Sequence, residues 1–394
     1  MPKYDFDEVI NRYNTNSLKY DYKKRRGKPE DVLPLWVADM DFKTAPEVID
    51  ALIEKSKHGI FGYSEPLDSY FIELKNWLYK HHGWRPDDNK FLLTPGVVFA
   101  ICAIINALTK ESDSIIINQP VYYPFSESIK DNNRKLIISE LINNNGKYEI
   151  DFLDFEQKIK ENNVKLYILC SPHNPVGRVW KKEELLKIDE ITKKYNVLVI
   201  SDEIHADFIY PGNKFISYAS IDKEFSHSII LTSPSKTFNL AGLQLANVYI
   251  KNDSLRRKVR QKISSFGYSQ ANIMGIVSCE AAYKYGDNWH KELLKYLNDN
   301  LIFLKDYINK KFKNVKVIEP EGTYLVWIDF NGLKISDELL NDIILNKAKL
   351  WLDSGNIFGV SGYGYERINI ACPRSILKEA LDKLYNAFKE ENLW

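Results

Sequence analysis

The chain has 394 residues, 44% of them apolar and 27% charged, which excludes a disordered or fibrous protein. With 54 Lys and Arg against 53 Asp and Glu the formal net charge is +1, so no global field gathers nucleic acid, an anionic membrane or strongly acidic substrates. Affinity for charged ligands has to come from local groups, and the length predicts two domains, because single cores stop growing beyond roughly 250–300 residues.

Cys102, Cys170, Cys279 and Cys372 stand far apart without a CxxC pair and are too few to staple a chain of this size, which points to a reducing compartment. Residues 1–20 alternate charged and aromatic side chains and lack the apolar core of a secretory signal. The longest nearly apolar run, 97–108, contains Asn106 and is shorter than the roughly 18–20 residues of a membrane span. A soluble, cytoplasmic protein is expected.

In chain order, the first 45 residues hold no long periodic segment and are expected to pack onto the C-terminal part. The basic run 23–26 is followed by Glu30 and Asp31 and reads as a solvated turn rather than a nucleic-acid patch. From 46 to 287, helical patterns alternate with short β-branched runs at 114–118, 135–139, 165–170, 197–201, 228–232 and 247–250. That alternation predicts an α/β domain built on a mostly parallel sheet. The stretch 181–194 opens acidic and closes basic, as a helix dipole prefers, and 143–146 reads as a tight turn. From 288 the pattern changes to a long charged helix at 290–312, strands at 315–318 and 323–329, a helix near 336–347 and a strand at 367–371. Together with residues 1–45 this reads as a smaller α+β domain.

Ligands of open parallel sheets bind beyond the carboxyl ends of the strands, so the polar residues there are the ones to inspect. Thr94-Pro95-Gly96 precedes a helix whose free N–H groups suit a phosphate, although taken alone a plain helix start explains it better. Ser171 to Gly177 places Asn174 in a stiff loop of two prolines and a glycine, where the amide can donate to a ligand oxygen or serve ordinary turn chemistry. Asp202 ends one strand, and a carboxylate there is costly without a facing cation or several donors; it suits the ligand better than Glu203. Lys236 lies among small hydroxyl residues at another strand exit, where its amine can lose its proton and become a nucleophile. The four converge on pyridoxal phosphate, which needs an amine for its aldehyde, a carboxylate for its ring nitrogen, a donor for its phenolic oxygen and N–H groups for its phosphate.

On these motifs, 171–177, 201–205 and 233–239, the chain resembles the fold-type I pyridoxal-phosphate enzymes, and more narrowly the cystathionine β-lyase-like C–S lyases related to class I/II aminotransferases. The spacings of 28 residues from Asn174 to Asp202 and 34 from Asp202 to Lys236 are similar to the family's. The resemblance implies a large domain with a mostly parallel seven-stranded sheet and a smaller α+β domain. It implies that Lys236 bonds the cofactor aldehyde, Asp202 partners the pyridine nitrogen and Asn174 donates to the ring oxygen. His205 stands where many aminotransferases carry a tyrosine. The resemblance further implies that Tyr122, rather than Tyr123, stacks on the cofactor ring, and that Gly96 and Val97 meet the phosphate through the backbone and Ser233 through its hydroxyl. It implies that Tyr63 is lent to the neighbouring subunit's phosphate, hence a homodimer, and that Arg367 grips the substrate α-carboxylate, with Asn174 and Trp36 beside it.

Two departures narrow the subclass. Gln244 stands eight residues past the lysine, where aminotransferases usually have an arginine, and the motif Trp36 to Phe42 is similar to that of the C–S lyase branch. The glycine-rich stretch of the family is interrupted at 359–365 by Val360, Tyr363 and Tyr365. The implied activity is β-elimination from cystathionine or cysteine to a thiol, pyruvate and ammonia, with an aminotransferase as the alternative and a regulatory binding protein as a lesser one. Tyr324 and Trp327 are expected to pack, His81 and His82 to end a helix before Gly83, and no residue cluster has metal-ligand spacing.

Overall fold

The computed structural model describes residues 4–86 and 90–393. Its largest sheet has eight strands in the order Phe91–Thr94, Ala246–Tyr249, Ser228–Thr232, Leu198–Asp202, Leu166–Cys170, Ser114–Gln119, Lys135–Asn144 and Lys147–Ile150. The five strands from Ser228–Thr232 to Lys135–Asn144 pair in parallel, and Ala246–Tyr249 and Lys147–Ile150 run against their neighbours. Side chains along the central strands alternate between two cores. Ile116, Tyr167, Leu169, Val199 and Ile230 enter one, and Ile115, Ile117, Leu166, Ile168, Ile200 and Ile229 the other. Burial on both faces explains why these runs are apolar without interruption. The sheet has eight strands rather than seven, because the turn at 143–146 folds Lys147–Ile150 back as a hairpin, with the Gly146 N–H donating to Asn143 Oδ1 at 2.7 Å.

A second sheet of four antiparallel strands, in the order Lys316–Val317, Leu325–Asp329, Tyr365–Asn369 and Asp353–Ser354, packs with the helices Asp287–Lys311 and Arg374–Glu390. The N-terminal segment joins this part of the molecule through Leu33–Pro34, which pairs in parallel with Leu350–Trp351. The helix expected near 336–347 is split into Asp337–Asp342 and a π-helical turn, Ile343–Lys347. We propose the division into 46–287 and 1–45 with 288–394, since each sheet lies wholly inside one part; residues 1–3, 87–89 and 394 lie outside the described residues.

The segment 36–42 is a strap between the two parts, and a buried ion network fastens it. Lys19 is fully buried, with Nζ 2.8 Å from Asp41 and 3.6 Å from Asp39. Arg12 holds the same two carboxylates at 2.6–2.7 Å. Burial pulls the Lys19 ammonium toward neutrality, but Asp41 and Asp39 outweigh it and hold its pKa above the ordinary value. Among the described residues no helix is long and apolar enough to cross a membrane.

Candidate active site

The parallel strands end at a cavity of about 170 Å³ whose walls include Gly96, Val97, Tyr122, Asn174, Asp202, His205 and Lys236. Seven residues predicted from separate motifs therefore meet in one place. The helix Val97–Leu108 starts on its wall, and the first N–H groups of a helix have no partner within it. Asn174 is positioned by its loop, where Gly177 has φ +72° and a Cβ would stand 2.6 Å from that of Pro320. The Asn174 side-chain oxygen accepts from Arg367 Nη1 at 2.9 Å, which leaves its NH₂ as the donor. Its backbone carbonyl accepts from the Tyr122 N–H at 3.0 Å and so places that ring.

Asp202 is 4% exposed, and its carboxylate accepts only from the Ile204 N–H, at 3.1 Å, among the described residues. Burial pushes its carboxyl up to about 7, so it is poised for a cation. Glu203 is turned away, accepting from Ser201 Oγ at 3.0 Å and the Tyr218 N–H at 2.8 Å. Burial, then the charges of Lys236 and Arg367, holds His205 neutral, well below the usual imidazole range, and its Nδ1 has no partner among the described residues.

Lys236 sits in the single turn Pro234–Thr237 after its strand. Its Nζ donates to the carbonyl of Ala38 in the strap at 2.6 Å, and the Tyr324 hydroxyl donates to the same oxygen at 3.0 Å. Burial lowers the amine to about 8 against the opposing pull of Asp39, so a neutral, nucleophilic form is accessible near neutrality. Behind it, Thr237 Oγ1 donates to Asp207 at 2.5 Å. Asp207 also accepts from Trp77 Nε1 at 3.0 Å and His82 Nε2 at 2.7 Å, so His82 does more than end a helix. Burial takes His82 down to about 4, which keeps it a neutral donor.

Two asparagines fasten the strap beside the reactive groups. Asn239 accepts from the Met40 N–H at 3.0 Å and donates to the carbonyls of Met40 and Phe42 at 2.9 and 3.0 Å. Asn369 donates to the carbonyls of Val37 and Asp39 at 2.8 and 2.6 Å. Asn239→Ala is expected to lower stability by about 2–4 kcal/mol in urea unfolding, since it strands the Met40 N–H and the Phe42 carbonyl and leaves the Met40 carbonyl with Arg12 alone; an unchanged midpoint would show that the strap holds without it.

Some expectations need correction. Ser233 does not face the cavity: its hydroxyl donates to the Leu245 carbonyl at 2.6 Å and caps the Lys236 turn, accepting from the Ser235 N–H at 3.1 Å, while Ser235 reaches the wall. Trp36 contributes its backbone, whose carbonyl accepts from Arg367 Nη2 at 2.9 Å; its indole stacks on Trp351 at 4.3 Å. Tyr63, expected to serve a neighbouring subunit, needs no correction: it is 97% exposed, in a hollow beside Pro95 and Gln244, and lies outside the cavity of its own chain. Arg367 lies behind Asn174 and is ion-paired with Asp353, a partner the sequence did not suggest. Asp189, Asp222 and His227 do come together, but Lys193 lies 2.9 Å from Asp189 and 3.7 Å from Asp222, so that cluster has its own cation.

The model of the family "Aminotransferase class I and II" matches residues 30–384. Cystathionine β-lyase PatB of Bacillus subtilis is 35% identical over 96% of this chain and 98% of its own length. The chain belongs to the class I and II aminotransferase family, in its cystathionine β-lyase-like branch. Among solved members of the family, a pyridoxal-phosphate-bound putative aminotransferase from Clostridium difficile 630 superposes with a TM-score of 0.95 at 46% identity, covering 98% of this chain and 99% of that one. Cystalysin from Treponema denticola, whose structure contains pyridoxal 5'-phosphate, gives 0.95 at 39% identity over 98% and 99%. The residues of this family member fit that cofactor: a buried amine, a buried carboxyl without a cation, an amide donor and a helix N-terminus line one cavity, and His205 keeps a ring nitrogen unpaired there.

Proposed function

We propose that this chain is a pyridoxal-phosphate-dependent carbon–sulfur β-lyase that converts cystathionine- or cysteine-type amino acids to a thiol, pyruvate and ammonia. The observation that carries it is the Lys236 amine sharing one cavity with the buried carboxyl of Asp202, which has no ion-pair contact among the described residues. The full-length similarity to cystathionine β-lyase PatB supports the choice of reaction.

Bound there, pyridoxal phosphate supplies an electrophilic aldehyde and a ring that accepts electrons. Lys236 Nζ would hold the aldehyde carbon and, when free of it, would take the proton from the substrate Cα. The strap carbonyl of Ala38 is a resting acceptor for that nitrogen. Asp202 would keep a proton on the ring nitrogen, Asn174 Nδ2 would donate to the ring oxygen, and Tyr122 would pack against the ring. The N–H groups at Gly96 and Val97 and the Ser235 hydroxyl would hold the phosphate, with neutral Gln244 beside them. Arg367 receives the substrate α-carboxylate, and the carbonyl of Trp36 orients the guanidinium. The β-thiolate leaves without needing a protein acid, since a thiolate is a stable anion.

The protein is read as a homodimer. Tyr63 is nearly fully exposed in a hollow shared with Pro95 and Gln244, at the phosphate end of the cavity, where a second copy can use it. The purified chain supplied with pyridoxal phosphate and cystathionine is expected to release pyruvate and ammonia in equal amounts without a keto-acid acceptor. Strict dependence on an acceptor would make it an aminotransferase instead.

A further inference from the structure

Arg367 is not a free cation waiting for a ligand. Its Nη2 donates to the Trp36 carbonyl at 2.9 Å and pairs with the Asp353 carboxylate on the neighbouring strand, where Asp353 and Arg367 are register partners. Nη1 donates to Asn174 at 2.9 Å, the guanidinium lies 4.9 Å over the Phe358 ring, and Nε is buried with no partner among the described residues. A guanidinium offers a two-pronged grip on two edges, Nε with Nη2 and Nη1 with Nη2. Both edges use Nη2, and both Nη2 protons are committed. A carboxylate can therefore take either two-pronged grip only if Trp36 or Asp353 lets go. The Trp36 carbonyl is backbone in a strap fastened by Asn239, Asn369, Arg12 and Lys19. Asp353 is a side chain, and it borders a second cavity of about 130 Å³ shared with Lys28, Ser354 and Glu366, into which it can turn.

We propose that Asp353 is a specificity-determining competitor built into the substrate site: it occupies Arg367 in the resting enzyme, and an amino-acid substrate binds by evicting it with its own α-carboxylate. The proposal rests on the reading of Arg367 as the carboxylate-binding residue. Burial raises the Asp353 carboxyl above its ordinary pKa even against the arginine, so its hold on Arg367 is weaker than the contact alone implies. Substrates with a carboxylate pay this displacement, while amines without one do not meet Asp353 at all.

The test uses the holoenzyme and two probes, 2-methylalanine, which has no Cα proton to lose, and isopropylamine, the same skeleton without the carboxylate. Dissociation constants are read from the absorbance change of the cofactor, and the melting-temperature rise on adding each probe gives a second readout. Asp353→Asn should bind 2-methylalanine about tenfold tighter or more, because the buried guanidinium is left seeking an anion, with isopropylamine unchanged. Asp353→Ser, smaller and unable to pair with Arg367, should do the same. Unchanged or weaker binding of 2-methylalanine by both variants would overturn the proposal, as would equal tightening of both probes. The underlying reading fails separately: Arg367→Gln binding 2-methylalanine as well as the wild type would remove Arg367 from the carboxylate site, whatever Asp353 does.

Discussion

Lys236→Ala is expected to lower pyruvate release from cystathionine by about 10⁴-fold or more, because one nitrogen is asked both to hold the cofactor and to take the Cα proton. No other lysine is placed to substitute: among the described residues the two buried ones are Lys19, bound between Asp39 and Asp41, and Lys23, whose Nζ donates to the carbonyls of Glu30 and Val32. The fold should survive, since the Lys236 side chain makes a single hydrogen bond, to Ala38. Asp202, Asn174 and the Val97–Leu108 N-terminus remain to retain pyridoxal phosphate without a covalent bond. Borohydride reduction followed by mass measurement separates the two forms: the wild type should carry the added mass and the variant should not. Turnover within tenfold of the wild type would remove Lys236 from the chemistry.

Asp202→Asn should move activity and stability in opposite directions. Loss of the ring-nitrogen partner is expected to slow the reaction by about 10²–10⁴-fold. In the cofactor-free protein, burial holds the Asp202 carboxyl at about 7, above its ordinary 3.8. Between those two pH values the folded chain keeps a proton that the unfolded chain has released, so folding is penalised progressively as pH rises from about 4 to 7. Above pH 7 the full penalty applies, on the order of 4 kcal/mol at most. The asparagine variant escapes it. Cofactor-free Asp202→Asn should therefore resist urea better than the wild type at pH 8, with the difference vanishing near pH 4. A variant less stable than the wild type at pH 8 would mean that the carboxylate is already satisfied without a cation.

The sequence is most legible where chemistry and burial coincide. Buried parallel strands write themselves as unbroken apolar runs, and the polar residues that end them, Asn174, Asp202 and Lys236, are readable as a set from residue type and chain position. Short or half-exposed elements are not: Phe91–Thr94 has four residues, and Lys147–Ile150 alternates polar and apolar side chains. Contacts between distant residues leave no local signal. His82 meets Asp207 across 125 positions and Lys236 meets Ala38 across 198, and neither pairing has a spacing to recognise. Ser233 misleads for a related reason. A hydroxyl beside the lysine suits a phosphate, but the same hydroxyl also suits the start of a helical turn, and the turn takes it.

The strap touches both reactive cations through main-chain oxygens, Trp36 to Arg367 and Ala38 to Lys236. Scanning mutagenesis would be nearly blind to this, because truncating the side chain of Trp36, or changing Ala38 to glycine, leaves each oxygen in place. Adding or removing a single amino acid between Trp36 and Ala38 would slide one oxygen out of register with the other, so the two cations constrain the length of this stretch more than the side chains at positions 36 and 38.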